Sequence, residues 1–154
     1  MLFNDFIATE VSEVGISWFD FYSIGHICFG IGLFLFFSLF YTIPKKHGTV
    51  PIFSLLFVFI VTVILAIIWE VIENTIFLNL GWKFEDRPDS WQNLSTDILM
   101  CAIGGLVTWL FAYITFEKNK SSFAYYTFGI IGFGVWIGIF IILRYLTFQN
   151  SPIF

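Results

Sequence analysis

Charged residues are scarce in this sequence. They make up 12% of its 154 residues, whereas hydrophobic residues make up 58% and include 22 phenylalanines. An ordinary soluble domain holds about 45–50% apolar residues, so the composition indicates a membrane protein. The net charge of −4, with no basic cluster to offset it, argues against nucleic acid as a partner.

The sequence is also poor in cysteine and lacks the familiar catalytic motifs. Cys28 and Cys101 both lie in apolar stretches, where a cysteine is typically a small buried side chain, so no disulfide is expected. There is no nucleophile elbow, P-loop, dinucleotide-binding fingerprint or CxxC motif. Any chemistry must therefore come from polar residues placed within or beside the apolar stretches.

Long apolar stretches predict an all-α membrane protein with four transmembrane helices in one antiparallel bundle. Their lengths suit the hydrocarbon core, and the short loops between them make consecutive helices antiparallel neighbours. The residues before them are no signal peptide, because three acidic residues interrupt them. Their apolar spacing predicts an amphipathic helix on the membrane interface, with a lid over the polar site as the functional alternative. The predicted bounds are 1–19 for the interfacial helix and 21–43, 51–80, 90–116 and 122–146 for the spans.

Lysines in two short loops predict the orientation. Lys45 and Lys46 lie between the first two spans, and Lys118 and Lys120 lie between the last two. In a four-span chain both loops face the same side, and the positive-inside rule makes that side cytoplasmic. We therefore expect a multi-pass plasma-membrane protein with both termini outside.

Several ionisable residues fall at one predicted depth. Counted from the cytoplasmic ends of their spans, His26, Glu70 and Asp97 all lie ~27–30 Å above the inner boundary, and Arg144 lies at ~33 Å. Ionisable groups at membrane depth are costly and usually mark a site or a paired network. The simpler alternative is that polar residues at helix ends face headgroups and water.

Two short motifs enlarge this predicted site. In WEVIEN, two carboxylates and an amide share one face at the end of the second span. PDSWQN precedes the third span with an Asp or Ser N-cap, which is also the simplest explanation of Asp89. The predicted catalytic residues are His26, Glu70, Asp97 and Glu73; the predicted substrate-binding residues are Asn74, Asp89, Asn93 and Arg144; and the predicted ligands of a divalent metal are His26, Glu70 and Asp97.

The motifs HxxxG, WExxEN and DSxxNxxxDxLMxxxGG, which begin at His26, Trp69 and Asp89, resemble a poorly characterised bacterial family of small integral membrane proteins. More distantly they are similar to the VanZ-like proteins. The resemblance to the small membrane proteins covers roughly residues 20–105. The similarity to the VanZ-like proteins implies a cell-envelope role, with envelope lipids as the substrate class. Cys101 departs from the asparagine that the VanZ-like pattern has four residues after its aspartate.

Two functions fit these observations, and a third fits them less well. The first is an enzyme that acts on a lipid headgroup or lipid-linked molecule by acid–base or metal-assisted chemistry. The second is a non-catalytic tetraspan subunit whose polar layer is a hydrogen-bond network; Gly134 and Gly138 form a GxxxG motif that suits homo- or hetero-oligomeric contact or packing within the chain. The third, a transporter, needs a polar path that the inner parts of the second and third spans do not offer.

Overall fold

The computed structural model describes residues 6–84, 86–117 and 121–151. Within these residues the protein is helical and has no β-sheet, and four helices are long and apolar enough to cross a membrane. The predicted class, an all-α protein with four membrane-spanning helices, is confirmed. The helices are α1 (Phe21–Phe37), α2 (Leu39–Lys46), α3 (Leu55–Ile72), α4 (Trp91–Glu117) and α5 (Ser122–Asn150), and a π-helical turn, Glu73–Phe77, continues α3.

The first span consists of α1 and α2, joined at Ser38, and it continues past the predicted end at residue 43 to Lys46. Pro44, the residue after the predicted end, lies inside α2. A proline has no N–H to direct at the carbonyl four residues earlier. That carbonyl, of Phe40, accepts a hydrogen bond from the backbone N–H of Ile52 at 3.0 Å instead. The following loop therefore satisfies the group that the proline leaves free.

The second span is shorter at both ends than the predicted 51–80. Its helix begins after Ser54, whose hydroxyl accepts a hydrogen bond from a backbone N–H of the first turn at 3.1 Å. It ends with the π-helical turn, and the chain then reverses at Gly81, whose φ of +67° suits glycine. The other two spans, Trp91–Phe116 and Ser122–Asn150, lie close to the predicted 90–116 and 122–146.

Helices α1 and α4 are in backbone contact, and two glycines make this contact feasible. A Cβ atom on Gly30 would lie 2.0 Å from the carbonyl oxygen of Cys101. A Cβ atom on Gly104 would lie 2.3 Å from the carbonyl oxygen of Ile27. Only glycine allows backbones to approach so closely. Gly30, one turn from His26 in the HxxxG motif, therefore lets α4 approach the histidine closely.

The predicted N-terminal helix is wrong for the residues that the structure describes. Residues 6–20, which we call the N-terminal strap, contain only a 3-10 turn, Val11–Glu13, and an isolated bridge between Ile7 and Phe19. Gly15 has a φ of +74°, which interrupts a helix. The strap is held by its own hydrogen bonds, such as Ala8 N to the carbonyl of Phe19 at 2.8 Å, and by one to the start of α4, in which the carbonyl of Gly15 accepts from Ser90 N at 2.7 Å. Residues 1–5 of the predicted helix lie outside the described residues.

Helix α5 lies on one side of the bundle and packs mainly against α1. Gly129 is buried there, and a Cβ atom at this position would lie 2.6 Å from the Leu35 side chain. Farther along the helix, Gly132, Gly134 and Gly138 have no atom within 4 Å of an added Cβ. The GxxxG stripe is therefore not used for packing among the described residues.

Candidate functional site

His26 lies between two buried carboxylates at the end of the bundle where α1 and α4 begin and α3 ends. Its Nδ1 atom is 3.5 Å from Oε1 of Glu70, and its Nε2 atom is 3.6 Å from Oδ2 of Asp97. All three residues are buried, with at most 7% of their surface exposed. The structure thus brings together the three residues that were predicted to share one depth.

The three helices reach this layer for local reasons. Asp20 caps α1 through a capping box with Ser23, which fixes the start of the helix six residues before His26. Ser90 caps α4, because its hydroxyl accepts a hydrogen bond from Asn93 N at 3.1 Å. The glycine contact between α1 and α4 then holds the imidazole against Asp97.

Three of the four carboxylate oxygens of Glu70 and Asp97 lack hydrogen bonds. Neither oxygen of Glu70 has a hydrogen-bond partner, nor does Oδ1 of Asp97. A buried carboxylate without partners is unfavourable in its charged form. Such a group needs a proton, a protonated imidazole or a bound cation. The cluster is thus an incomplete network that a ligand or a proton would complete.

Lys83 is a buried cation beside this cluster, and the sequence analysis missed it. Its Nζ atom is 2.6 Å from Oδ2 of Asp89 and 3.4 Å from Oε1 of Glu73. The side chain is 2% exposed although it belongs to the loop between the second and third spans. The signal was available, since Lys83 stands between Trp82 and Phe84 in a loop with more acidic than basic residues.

Asn74 and Asp89 fasten the ends of the second and third spans together. The Asn74 side chain donates to the carbonyl of Glu70 at 3.1 Å and accepts from Asp89 N at 2.7 Å. Ser90, not Asp89, is the N-cap of α4, which leaves the Asp89 carboxylate for Lys83. Both predicted substrate-binding residues therefore make structural contacts near the site.

Asn93 joins α4 to the N-terminal strap. Its side-chain amide donates to the Asp20 carboxylate at 3.0 Å and to the carbonyl of Ser17 at 3.1 Å, and the residue is 1% exposed. Burial raises the pKa of the Asp20 carboxyl above its usual 3.8, while the hydrogen bonds from the Gly15 backbone and from Asn93 act to lower it. Asn93 is thus a structural residue, in contrast to its predicted role in binding substrate.

Arg144 does not join the site. It is exposed on α5, and its guanidinium carbon lies 5.6 Å from the ring centre of Phe148. The depth estimate placed it near the layer of His26, but rise along a helix says nothing about which face a side chain occupies. The prediction that Arg144 belongs to the substrate-binding set is not supported by this position.

A cavity of about 210 Å³ opens beside His26. His26 and Glu73 form its polar part, and aromatic side chains of α1, α3 and α5 form most of its wall. The aromatic lining consists of Tyr22, Phe29, Trp69 and Phe140. A polar floor with apolar aromatic walls suits a ligand that has a polar group attached to an apolar body.

The residues with metal-binding geometry differ from the predicted trio. His26, Glu70 and Glu73 each offer one ligand atom, and these atoms all lie within 4.8 Å of one another. Asp97 is not in this set, because it faces Nε2 of the imidazole whereas Glu70 faces Nδ1. The two carboxylates therefore approach different nitrogens of the histidine.

Comparison with known proteins identifies a family that matches this chain. Residues 8–118 match the family described as predicted membrane protein, DUF2238. The chain belongs to the DUF2238 family. No curated protein and no solved structure matches the chain.

The DUF2238 region contains every polar residue of the site. It runs from the N-terminal strap through α4, so it includes the His26 cluster, Glu73 and Lys83. Helix α5 lies beyond residue 118 and contributes only Phe140 to the cavity wall. The polar cluster is therefore a feature of the part of this chain that defines its membership of DUF2238.

Proposed function

We propose that this membrane protein is an enzyme that acts on a lipid headgroup or a lipid-linked envelope molecule. The observation that supports the proposal best is His26, held between Glu70 and Asp97 with unsatisfied carboxylate oxygens and bordering a cavity with aromatic walls. A histidine flanked by carboxylates is suited to move protons or hold a metal. The aromatic walls suit the apolar part of a lipid.

Charge on Glu70 is central to the proposed chemistry. In an acid–base form, Nδ1 of His26 takes a proton from water or a substrate hydroxyl, and Asp97 at Nε2 stabilises the imidazolium that results. In a metal-assisted form, the same end of the imidazole holds a divalent ion. Both forms use the Glu70 carboxylate, whose Oε1 lies 3.5 Å from Nδ1: it stabilises the proton taken up by Nδ1 in the first form, and it would bind the ion in the second.

Envelope lipids are proposed as the substrate class on the resemblance to VanZ-like proteins and on the position of the cavity. His26, Glu70 and Asp97 lie near helix ends, at the side opposite Lys45 and Lys46. If the lysine side faces the cytoplasm, the cavity faces the outer leaflet of the plasma membrane. This orientation makes an outer-leaflet headgroup the group nearest to the cluster.

A non-catalytic accessory subunit is the second candidate. The contacts of Asn74, Asn93 and Lys83 favour it, since they hold helix ends and loops together. The unpartnered oxygens of Glu70 weigh against it, because a network that serves stability alone satisfies its members. A transporter has less support, since Thr62 and Thr108 donate to carbonyls of their own helices.

Complementation tests the enzymatic proposal. In a host from which the gene has been deleted, the wild-type chain and the Glu70→Gln variant are expressed and membrane lipids are measured by mass spectrometry. We expect the wild-type chain to restore the lipid profile and Glu70→Gln to fail, because the amide keeps the volume but loses the charge.

Glu13→Gln is the matched control, since it makes the same change in the strap, where Glu13 bonds to Thr9 N. Folding of each variant is checked by thermal unfolding in detergent. A folded Glu70→Gln protein that restores the lipid profile would refute the enzyme and favour the accessory subunit.

A further inference from the structure

We propose that Nδ1 of His26 and the carboxylates of Glu70 and Glu73 bind one divalent transition-metal ion. This inference deepens the proposed function by choosing its metal-assisted form. It differs from the sequence-based trio by replacing Asp97 with Glu73. Binding can be measured without any substrate, so it is tested separately from the enzymatic proposal.

The distances suit a shared ion. Ligands bound at ~2.1 Å in tetrahedral geometry lie ~3.4 Å apart. The distance between Nδ1 of His26 and Oε1 of Glu70 is 3.5 Å, and the ligand atoms of the three residues all lie within 4.8 Å of one another. Binding would require the half-buried Glu73 side chain to move inward by an ångström or so, to about the ~3.4 Å separation of bound ligands.

Unsatisfied atoms supply an independent reason. Glu70 is 2% exposed, and neither of its oxygens has a hydrogen-bond partner. Buried charges in proteins are normally paired or bound to metals. The nearby ammonium of Lys83 lies against Asp89 at 2.6 Å, with Glu73 at 3.4 Å. A metal ion at Glu70 would compensate the carboxylate that these ion pairs do not reach.

Asp97 lies where it can orient the imidazole of His26. It lies 3.6 Å from Nε2, the nitrogen opposite the proposed metal-binding atom. Ligating histidines commonly donate their other ring N–H to a carboxylate, which fixes the tautomer and raises ligand basicity. Asp97 is therefore a positioning residue for His26 rather than a ligand.

The donor set indicates the class of metal and leaves room for a substrate. One imidazole and two carboxylates suit Zn²⁺, Mn²⁺ or Fe²⁺, whereas Mg²⁺ and Ca²⁺ prefer oxygen alone. Three protein ligands with an open fourth position are typical of catalytic zinc. His26 and Glu73 both line the cavity of about 210 Å³, so the open position would face it. An anionic oxygen of a lipid headgroup would bind there.

Metal titration of the purified full-length protein tests the proposal. The protein, in detergent and free of any affinity tag, is stripped with chelator and titrated with ZnCl₂ by calorimetry; bound metal is then counted by elemental analysis. We expect one Zn²⁺ per chain for the wild type and for Glu13→Gln. Glu70→Gln and Glu73→Gln should each bind at least tenfold more weakly, whereas Asp97→Asn should keep the stoichiometry and lose ~10–100-fold in affinity.

Co²⁺ gives a second readout that does not depend on variants that fold poorly. Visible absorption of the Co²⁺-loaded wild-type protein should show the intense bands of a low-coordinate site, and Zn²⁺ should displace them. Absence of Zn²⁺ and Co²⁺ binding to the folded wild-type protein would overturn the metal site. Zn²⁺ binding as tight as the wild type by Glu70→Gln and Glu73→Gln would overturn it too, because the ion would then be adventitious. Either result leaves the lipid complementation test to judge the acid–base form.

Discussion

At the residue scale, the His26 end of the bundle holds more acidic than basic side chains. Four carboxylates, those of Glu70, Glu73, Asp89 and Asp97, gather around His26 and Lys83. Lys83 forms the shortest of these ion pairs, with Asp89. Charges buried together stabilise a fold only while their partners are present. Lys83 therefore has a large influence on stability although it belongs to a loop.

Removal of Lys83 should destabilise the protein strongly. Lys83→Met keeps an unbranched side chain but leaves Asp89 and Glu73 without their cation, and the loss of one partner from a buried ion pair costs ~3–5 kcal/mol. Lys45→Met is the control, because Lys45 is an exposed lysine of α2 that donates to Tyr41 at 2.9 Å. Chemical unfolding in detergent should show a large decrease in the free energy of unfolding for Lys83→Met and a small decrease for Lys45→Met. Equal, small losses would contradict the proposed importance of the Lys83 ion pairs.

At the scale of elements, the backbone contact between α1 and α4 sets the position of the site. Gly30 lies one turn from His26, and Gly104 lies two turns from Asp97. Each glycine meets a carbonyl oxygen of the opposite helix. Any side chain at these positions would push the two helices apart, and with them the imidazole and the Asp97 carboxylate.

Gly30→Ala should therefore be much more harmful than the same change on α5. The added Cβ would lie 2.0 Å from a backbone oxygen, and overpacking of this kind costs at least ~1–3 kcal/mol. Gly134→Ala is the matched control, because no atom lies within 4 Å of its added Cβ and alanine favours a helix by up to ~1 kcal/mol. Thermal unfolding of both variants in detergent measures the difference. Similar Tm values would show that the helices do not meet at Gly30.

The elements differ in how well the sequence predicts them. The spans could be predicted because hydropathy is a local property, and the layer of His26, Glu70 and Asp97 followed from a constant rise per residue. The N-terminal strap could not, since its amphipathic spacing is compatible with a helix and its bonds reach partners about seventy residues away. Arg87, for example, donates to the carbonyls of Ser12 and Val14 at 2.8 and 2.7 Å.

The residues of the site also differ in how well the sequence predicts them. Glu73 was among the predicted catalytic residues, but its closeness to His26 and Glu70, and the position of Asp97 beside Nε2, depend on helix rotation, which spacing does not determine. Lys83 was missed because its ion pairs depend on how the loop before α4 folds back. Residue type and depth thus predicted that His26, Glu70 and Asp97 gather, but they missed Lys83 and wrongly included Arg144, because tertiary packing decides which side chains meet.

At the scale of the whole molecule, the two ends of the bundle differ in chemistry. The end with His26 carries carboxylates and Lys83, and the other end carries Lys45 and Lys46 with a hydroxyl network in which Tyr126 bonds to Thr42 at 2.8 Å. Cytoplasmic loops are rich in lysine and arginine. The proposed orientation places the His26 end outside.

Cysteine labelling tests this orientation. In a Cys28→Ala, Cys101→Ala background, His47→Cys and Asp86→Cys are labelled with an impermeant maleimide in intact cells; both positions are exposed, so accessibility does not limit the reaction. We expect labelling at position 86 and none at position 47 until the cells are opened. The reverse pattern would place the cluster on the cytoplasmic side and remove the outer-leaflet headgroup from the proposal.

The contact between Gly30 and Cys101 joins residues that are synthesised far apart in time. Helix α1 leaves the ribosome before α3, and its closest neighbour, α4, follows last of the three. When membrane helices insert first and associate afterwards, His26 and Glu70 are already in the bilayer while Asp97 is still missing. A nascent chain that ends after the second span therefore exposes His26 and Glu70 to lipid without Asp97. Biogenesis of this protein then requires that α4 follow rapidly, or that a membrane insertase shelter the first two spans until α4 is inserted.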